Sequence, residues 1–481
     1  MKTCPRRGSA ASPRCLLGVL ALCAALAAGA GACRGDTYYL GTDCLGTGTG
    51  KALQDAIDSR QTVVLCRRAV ITLDDTVTLR QGLTLMTDGT PTDPAEMAKI
   101  RLGPKLPEQI TVALRSSGSD IHIMAVFFDG NRTGLGARDR QIPLELGPGD
   151  RYIVQGCVFS DSPGWTHLHL QERCGSSTIV DNIVVSSVRP HDDTGHWSDG
   201  MSIACSNTLI EGNRITDASS NGIVYFGGPG STIRNNVITE TTTSAFSGIN
   251  VGDAIVPDNT GVVVQGNHIV ATTPRYFTNT GIAAGLHVLG KTTTVMGVSF
   301  LDNTFEGMAR YGLAVDGCLG CTVTGNDVAG WHPLPSLAGC PASAAYVAAR
   351  TALHASGDLQ PGFVDAKIDS CGGQAEVLGD VYRTYAGDLT FPEYLAFEVK
   401  VYSQRLEQKQ DAAALLAAEW DAIAARAKAL CPAGTPADLQ SVWVRLTAAQ
   451  FFGGGLAPAD ADARVRADLM AAAAGTPCAG P

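Results

Sequence analysis

The segment from Val188 to Asp199 brings together many chemically active side chains within twelve residues. They are Arg189, His191, Asp192, Asp193, His196, Trp197 and Asp199. Carboxylate oxygens are the ligands that Ca²⁺ prefers, so Asp192, Asp193 and Asp199 form a candidate calcium site. Arg189 and the two histidines are candidates for a catalytic base, Asp193 and Asp199 are further catalytic candidates, and Trp197 can stack on a sugar ring. The alternative is that these polar side chains solvate a turn and that Asp199 caps a bend.

A second candidate surface is formed by the outward residues of six short segments, most of which begin with glycine. Four of these six residues are polar. The segments are 167–170, 200–203, 222–225, 248–251, 285–288 and 312–315, and their outward residues under strand alternation are His169, Ser202, Val224, Asn250, His287 and Ala314. We predict that the polar members, with Asp253 nearby, form a substrate-binding surface beside the loop. Plain solvent-facing side chains are the alternative.

The elements that position these residues follow from an eightfold repeat between residues 121 and 329. Each copy has an apolar residue, a fixed position three further on, and a second apolar residue two beyond that. Six of the eight fixed positions are asparagine: Asn182, Asn213, Asn236, Asn267, Asn303 and Asn326. A period of 20 to 50 residues indicates a solenoid. Asparagine tolerates the left-handed backbone of a tight bend and its amides stack between layers, so the pattern predicts an all-β parallel β-helix.

The first 32 residues resemble a secretory signal, with four basic residues, an apolar run from Leu16 to Ala28 and small residues after it. A run of this kind is too short for a spanning helix, so we expect no transmembrane segment. Export to the medium or the cell surface is the expected localisation. A lipidated Cys33 is the alternative form of attachment.

Removal of those residues leaves 32 basic and 46 acidic residues, a net charge of −14 that argues against a nucleic-acid partner. It also leaves twelve cysteines, an even number that favours disulfides in an exported chain. Proximity in sequence suggests the pairs Cys44–Cys66, Cys157–Cys174 and Cys340–Cys371. Cys318 and Cys321 are expected to form a local disulfide or to remain as two thiols.

A short amphipathic helix at residues 52–58 precedes the first strands and is expected to cap the solenoid. The helix, the strand that ends in Leu65-Cys66, the Gly82-Leu-Thr-Leu85 segment and the asparagine repeat resemble the pectin-lyase-like superfamily of right-handed parallel β-helix proteins. The resemblance covers residues 36 to about 375. It implies the right-handed fold, and it leaves the chemistry open because the superfamily includes lyases, hydrolases, epimerases, tailspikes and adhesins.

Residues 376–481 differ from the rest in being rich in alanine. Apolar residues recur at steps of 4 and 3 from Leu395 to Leu430, which predicts a long helix followed by shorter ones. The predicted organisation is a signal at 1–32, a capping segment at 33–60, a β-helix at 61–375 and an α-helical region at 376–481 that mediates docking or assembly.

Together these features predict an extracellular β-helix protein whose partner is a polysaccharide. Cleavage of a uronic-acid-containing glycan by β-elimination is preferred to hydrolysis or C5-epimerisation. For elimination, a cation or Arg189 would neutralise the uronate carboxylate while a base removes the C5 proton. Hydrolysis would need two carboxylates, for which Asp253 and Asp316 are placed about 9 to 10 Å apart by the spacing of two coils. The rival class is a surface protein or adhesin that binds a glycan without cleaving it.

Overall fold

The computed structural model describes residues 43–365, with gaps at 117, 137, 139–140, 187–197, 244, 253–258, 272–277, 286–294, 317, 334–342 and 350–359. The predicted signal, the C-terminal helical region and the pair Cys340–Cys371 lie outside the described residues. Residues 187–197, which form most of the loop before Asp199, also lie outside the described residues.

The described chain winds through ten coils, and each coil contributes one strand to a ten-stranded parallel sheet, here called sheet A. Its strands are Thr62–Leu65, Thr84–Thr87, His122–Met124, Ile153–Gln155, Thr178–Val180, Leu209–Glu211, Thr232–Arg234, Val263–Gln265, Ser299–Leu301 and Thr322–Thr324. Every pair in this sheet is parallel and in register from one coil to the next, for example Ile179 with Ile210. Such stacking of coils defines a parallel β-helix.

The rest of each coil lies in a 22-stranded parallel sheet, sheet B, which has two arms. The first arm contains Val70–Leu73, Ala98–Leu102, Val126–Asp129, Val158–Ser160, Ile183–Val185, Arg214–Thr216, Val237–Glu240, His268–Ala271 and Asp327–Pro333. The second arm contains Val77–Leu79, Val112–Ser116, Ile142–Leu146, Thr166–Gly175, Asp199–Ser206, Asn221–Tyr225, Ala245–Val251, Thr278–Ala284, Ala344–Ala349 and Val364–Asp365. Thr304–Asp316 runs through both arms, and Gly48–Thr49 and Gly149–Asp150 add short pairings. A small sheet pairs Val295–Met296 with Cys318–Leu319. The predicted fold class, a right-handed parallel β-helix, is confirmed.

Between sheet A and the first arm, the six repeat asparagines form a continuous buried ladder. After Asn182, whose Oδ1 accepts the Cys157 N–H, each Oδ1 accepts the backbone N–H and the Nδ2 of the asparagine one coil earlier, as Asn236 does from Asn213 at 3.0 and 2.9 Å. The ladder ends at Gln360, whose Oε1 accepts from Asn326. The stacked column is therefore confirmed, but the left-handed conformation belongs to the residue before each asparagine, such as Asp181, Asn235 and Asp302.

Glycines occupy one aligned position within the second-arm strands of five successive coils. They are Gly200, Gly222, Gly248, Gly281 and Gly312, and a Cβ on any of them would lie 2.5 to 2.7 Å from a carbonyl oxygen of the next coil. Four of these glycines are the predicted strand starts. The fifth prediction, Gly285, is wrong by four residues, because Asn250 pairs with Ala283 and the strand ends at Ala284. His287 is therefore not the next member of the column, and it lies outside the described residues.

The interior of the coils is filled by stacked aliphatic and aromatic side chains. The capping helix spans Gly50–Ser59, where Thr49 accepts a bond from the Ala52 N–H and Leu53 and Ile57 are buried against the first coil. Two further short helices are the 3-10 helix Pro94–Glu96 and the α-helix Arg132–Leu135. The helical cap predicted at residues 52–58 is thus present in the expected place.

Three disulfides lie among the described residues: Cys44–Cys66, Cys174–Cys205 and Cys318–Cys321. The first prediction is confirmed, and the 318–321 pair takes the disulfide form. The predicted pair Cys157–Cys174 is wrong, because Cys157 is a buried free cysteine that replaces asparagine in the ladder column. Cys174 and Cys205 instead lie on adjacent coils at paired positions in the second arm, with Cα atoms 4.7 Å apart.

Candidate functional site

Three charged or titratable side chains occupy paired positions on successive coils of the second arm. Arg115 pairs with Glu145, and Glu145 pairs with His169. The Arg115 Nε lies 3.5 Å from Glu145 Oε1, and His169 Nδ1 lies 3.1 Å from Glu145 Oε2. We call Arg115, Glu145 and His169 the charged row.

Glu145 is the centre of the charged row, and its side chain is only 9% exposed. Its Oε1 atom is buried and lies in ion-pair contact with Arg115 Nε. Burial raises the pKa of the Glu145 carboxyl, but hydrogen bonds from the His169 and Gln171 side chains and the charge of Arg115 lower it further than burial raises it. The carboxylate is therefore ionised at neutral pH.

His169 is oriented by its neighbours on both sides. With Glu145 ionised, the Nδ1 atom of His169 carries a proton and donates it to the carboxylate, so the neutral ring has its lone pair at Nε2. Nε2 makes no hydrogen bond to any residue that the structure describes. The indole ring of Trp165 meets the imidazole edge to face, with ring centroids 4.9 Å apart. A partly exposed aromatic ring thus lies beside a fixed histidine, with an arginine two coils away.

Ser202 and Asn250 continue the outward column on later coils, as predicted, in the register His169, Ser202, Val224, Asn250. The column differs from the prediction in exposure, because Ser202, Val224 and Asn250 are each no more than 1% exposed. Ala283 and Ala314, which continue it, are also buried. Arg115 and His169 are therefore more accessible than the column members on the later coils.

Asp199, the described member of the predicted loop site, begins the strand Asp199–Ser206 and is 6% exposed. Its Oδ1 accepts bonds from the backbone and side-chain nitrogens of Asn221 at 3.1 and 3.0 Å, and its Oδ2 accepts one from Ser202 at 3.0 Å. These bonds fit the bend-capping alternative better than a catalytic base, because both oxygens are already engaged.

His167 lies two residues from His169 on the same strand but is fully buried. Its Nδ1 donates to the Asp199 carbonyl at 2.9 Å, and its buried Nε2 has no hydrogen-bond partner among the residues that the structure describes. Burial lowers the pKa of His167 to about 4, so the ring is neutral at physiological pH and has a structural role.

The other predicted site residues are outside the described part of the chain: Arg189, His191, Asp192, Asp193, His196, Trp197, Asp253 and His287. Their roles stay predictions. Within the described ranges, no group of three or more His, Cys, Asp and Glu side chains is arranged to hold a metal ion. Nor is any helix in those ranges long and apolar enough to cross a membrane.

Sequence reasoning missed Arg115, Glu145 and Trp165. The signal for Glu145 is the alternation in Ile142-Pro-Leu-Glu-Leu146, which places Glu145 outward one coil before His169. No repeat asparagine marks this coil, so its register is not evident from the ladder motif.

Residues 146–328 match a family model described as a right-handed beta helix region. No curated protein sequence matches the chain. Among solved structures, a mutant tailspike protein of E. coli bacteriophage HK620 in complex with pentasaccharide is similar at 13% identity and a TM-score of 0.45, with 66% of this chain and 63% of that chain covered. This chain thus spans less than two thirds of the tailspike chain.

Two further solved structures are similar at the same level. They are an alginate lyase from a Paenibacillus species, at 14% identity, a TM-score of 0.43 and coverage of 60% and 95%, and an endo-xylogalacturonan hydrolase from Aspergillus tubingensis, at 10%, 0.42, 66% and 95%.

Proposed function

We propose that the protein binds an acidic polysaccharide at the charged row and cleaves it by β-elimination. The observation that supports this most directly is the combination of a fixed Glu145–His169 pair, a half-exposed Arg115 and a partly exposed Trp165 on one face of adjacent coils. A cation, a base and a stacking surface are what a uronate sugar requires for recognition and for removal of its C5 proton.

Each side chain has a distinct task in this mechanism. The Arg115 guanidinium, whose side chain is 51% exposed, binds the uronate carboxylate and stabilises the negative charge that develops on it. His169 Nε2 takes the C5 proton while Glu145 stabilises the imidazolium that forms. The electrons of the C5–H bond form the C4=C5 double bond, the C4–O bond breaks, and the leaving oxygen takes a proton from water. The hydroxide that remains takes the proton from the imidazolium, which restores neutral His169.

The partly exposed indole of Trp165 supplies a further recognition element. It would contribute apolar contact with the face of the sugar ring whose carboxylate Arg115 binds. The site would therefore bind a sugar that carries a carboxylate and presents an apolar ring face.

A calcium ion at Asp192, Asp193 and Asp199 is not used in this mechanism. The described member of that set, Asp199, accepts hydrogen bonds from Asn221 and Ser202, and Asp192 and Asp193 lie outside the described residues, so the calcium site stays a prediction. Arg115 provides the positive charge instead.

The geometry favours a local site over an adhesin-type strip. A protein that only binds a glycan along its length would need a continuous accessible row of polar or aromatic residues. On this face the column is buried from Ser202 to Ala314 in the described coils. The charged row, by contrast, occupies three successive coils and places Arg115, Glu145 and His169 at one local site.

A screen of polygalacturonate, alginate and neutral glycans, followed by the absorbance of unsaturated products, tests the proposal. The native protein should cleave at least one uronate polymer and no neutral polymer. Arg115→Gln should raise KM, since the carboxylate loses its partner. Arg234→Gln is the matched control, because Arg234 is a similarly exposed arginine paired with Glu211 on sheet A. Equal effects of the two changes, or binding without product from any uronate polymer, would contradict the proposal.

A further inference from the structure

The loop of residues 130–141, which joins the two arms of the third coil, packs tightly against the fourth coil. A Cβ on Gly130 would lie 2.4 Å from the Asp161 carbonyl oxygen, and a Cβ on Gly164 would lie 2.3 Å from the Gln141 carbonyl oxygen. Neither contact leaves space for a side chain. The loop backbone is therefore held directly against the 161–164 turn that leads into Trp165.

Arg132 fixes that turn by a buried charged contact. The residue is 6% exposed, and its Nη1 donates to the Pro163 carbonyl at 3.0 Å. The same carbonyl also accepts the Arg138 N–H at 2.8 Å. Burying a guanidinium is unfavourable unless its N–H groups are hydrogen-bonded. The bond from Arg132 to the Pro163 carbonyl therefore constrains the position of the turn.

The other flank of the loop is attached to the second coil. Arg138 Nη1 donates to the Leu106 carbonyl at 2.6 Å, and Gln141 Nε2 donates to the carbonyls of Pro107 and Ile110 at 3.1 and 2.9 Å. This turn precedes Val112–Ser116, the strand that carries Arg115. One loop thus joins the turn before Arg115 to the turn before Trp165.

We infer that Arg132 is a positioning residue for the charged row, which acts by holding Trp165 in its edge contact with His169. The inference rests on the proposed function for the nature of the ligand. Arg132 itself is buried and contacts a backbone carbonyl, so it affects sugar binding through the indole ring. Without it, the turn at Pro163 loses a charge-assisted bond and Trp165 loses its fixed orientation.

Arg132→Met tests this in the full chain, because methionine keeps much of the apolar stem and removes the donors. The first readout is the near-ultraviolet circular dichroism of Trp165, taken as the difference between a protein and its Trp165→Phe counterpart. We expect this difference signal to weaken in the Arg132→Met background and to stay unchanged with Arg151→Met, an exposed arginine paired with Asp120. An unchanged signal in Arg132→Met would overturn the inference.

The second readout is a double-mutant cycle on a cleaved uronate polymer. Arg132→Met and Trp165→Ala should each raise KM about 3- to 10-fold with kcat nearly retained, and the double variant should be no worse than Trp165→Ala alone. Multiplied effects in the double variant would show that Arg132 acts independently of Trp165 and would refute the inference.

Arg132→Lys keeps the test decisive if the methionine variant does not fold. Lysine retains the charge and one donor, so we expect a smaller loss of the Trp165 signal and a smaller rise in KM. A folded Arg132→Lys protein with a tenfold higher KM and a native Trp165 signal would contradict the inference. If the native protein cleaves no polysaccharide, the proposed function fails, while the Trp165 signal still tests the role of Arg132.

Discussion

Replacement of Asn236 by alanine should be among the most destabilising single changes in the β-helix. Its Oδ1 accepts from the Asn213 N–H and Nδ2, and its Nδ2 donates to the Ile210 carbonyl at 3.0 Å and to Asn267 Oδ1 at 2.9 Å. Two partners would keep another bond: Asn267 Oδ1 still accepts the N–H of residue 236, and Asn213 Nδ2 still donates to Ile179.

The cost then comes from the other two partners. The Asn213 N–H and the Ile210 carbonyl are buried backbone groups that would lose the Asn236 side chain. At about 1 to 3 kcal/mol for each unsatisfied group, the free energy of unfolding should fall by about 2 to 6 kcal/mol. Urea unfolding followed by far-ultraviolet circular dichroism measures this difference.

Arg234→Ala on the same coil is the control, because it removes an exposed ion pair with Glu211 and should cost about 1 kcal/mol or less. If Asn236→Ala costs no more than this control, the ladder bonds do not stabilise the fold and the reasoning is refuted.

Three further predictions concern stability. Because burial lowers the pKa of His167 from 6.5 to about 4, the unfolded chain gains a proton at that site before the folded chain does, so stability should fall as the pH drops from 6.5 through 4. Relative to a His167→Gln variant, the native protein should lose about 3 kcal/mol of unfolding free energy between pH 7 and pH 4, and parallel pH profiles would contradict the assignment. Replacing Cys174 and Cys205 together by serine should lower stability by about 2 to 4 kcal/mol in thermal or urea unfolding, since the bond joins two coils 31 residues apart; no change would mean that the bond does not form. Deletion of residues 376–481 should leave the β-type circular dichroism spectrum intact, because solenoid coils are stabilised by their neighbours, and its loss would show that this region is an integral part of the fold.

The repeat made much of the fold predictable, because one asparagine per coil marks a single corner with an apolar residue on either side. The ladder and the capping helix follow from that pattern. The residue that takes the left-handed conformation was not predictable. It directly precedes the asparagine and varies in type, for example Asp181, Gly212 and Asn235, and asparagine itself also tolerates a positive φ.

The candidate site was less predictable for two physical reasons. Gly281 and Gly285 both precede apolar residues, so the local sequence does not show which of them aligns with the glycines of the other coils. Gly281 is the aligned one, because it lies against the Gly312 carbonyl of the next coil. Burial of Ser202 and Asn250 depends on long-range packing that local alternation does not contain. The pairing of Arg115, Glu145 and His169 likewise requires the register of three coils, all of which lack the repeat asparagine.

The most direct test of the proposed mechanism compares two histidine variants. His169 and His268 are each paired with a glutamate at 3.1 Å, Glu145 and Glu306 respectively, but only His169 belongs to the charged row. With the uronate polymer that the native protein cleaves, His169→Gln should reduce kcat at least about 100-fold, because glutamine cannot accept the C5 proton, and should leave the thermal midpoint close to native. His268→Gln should leave kcat unchanged. Native-like turnover by His169→Gln, or equal losses in both variants, would contradict a catalytic role for the charged row.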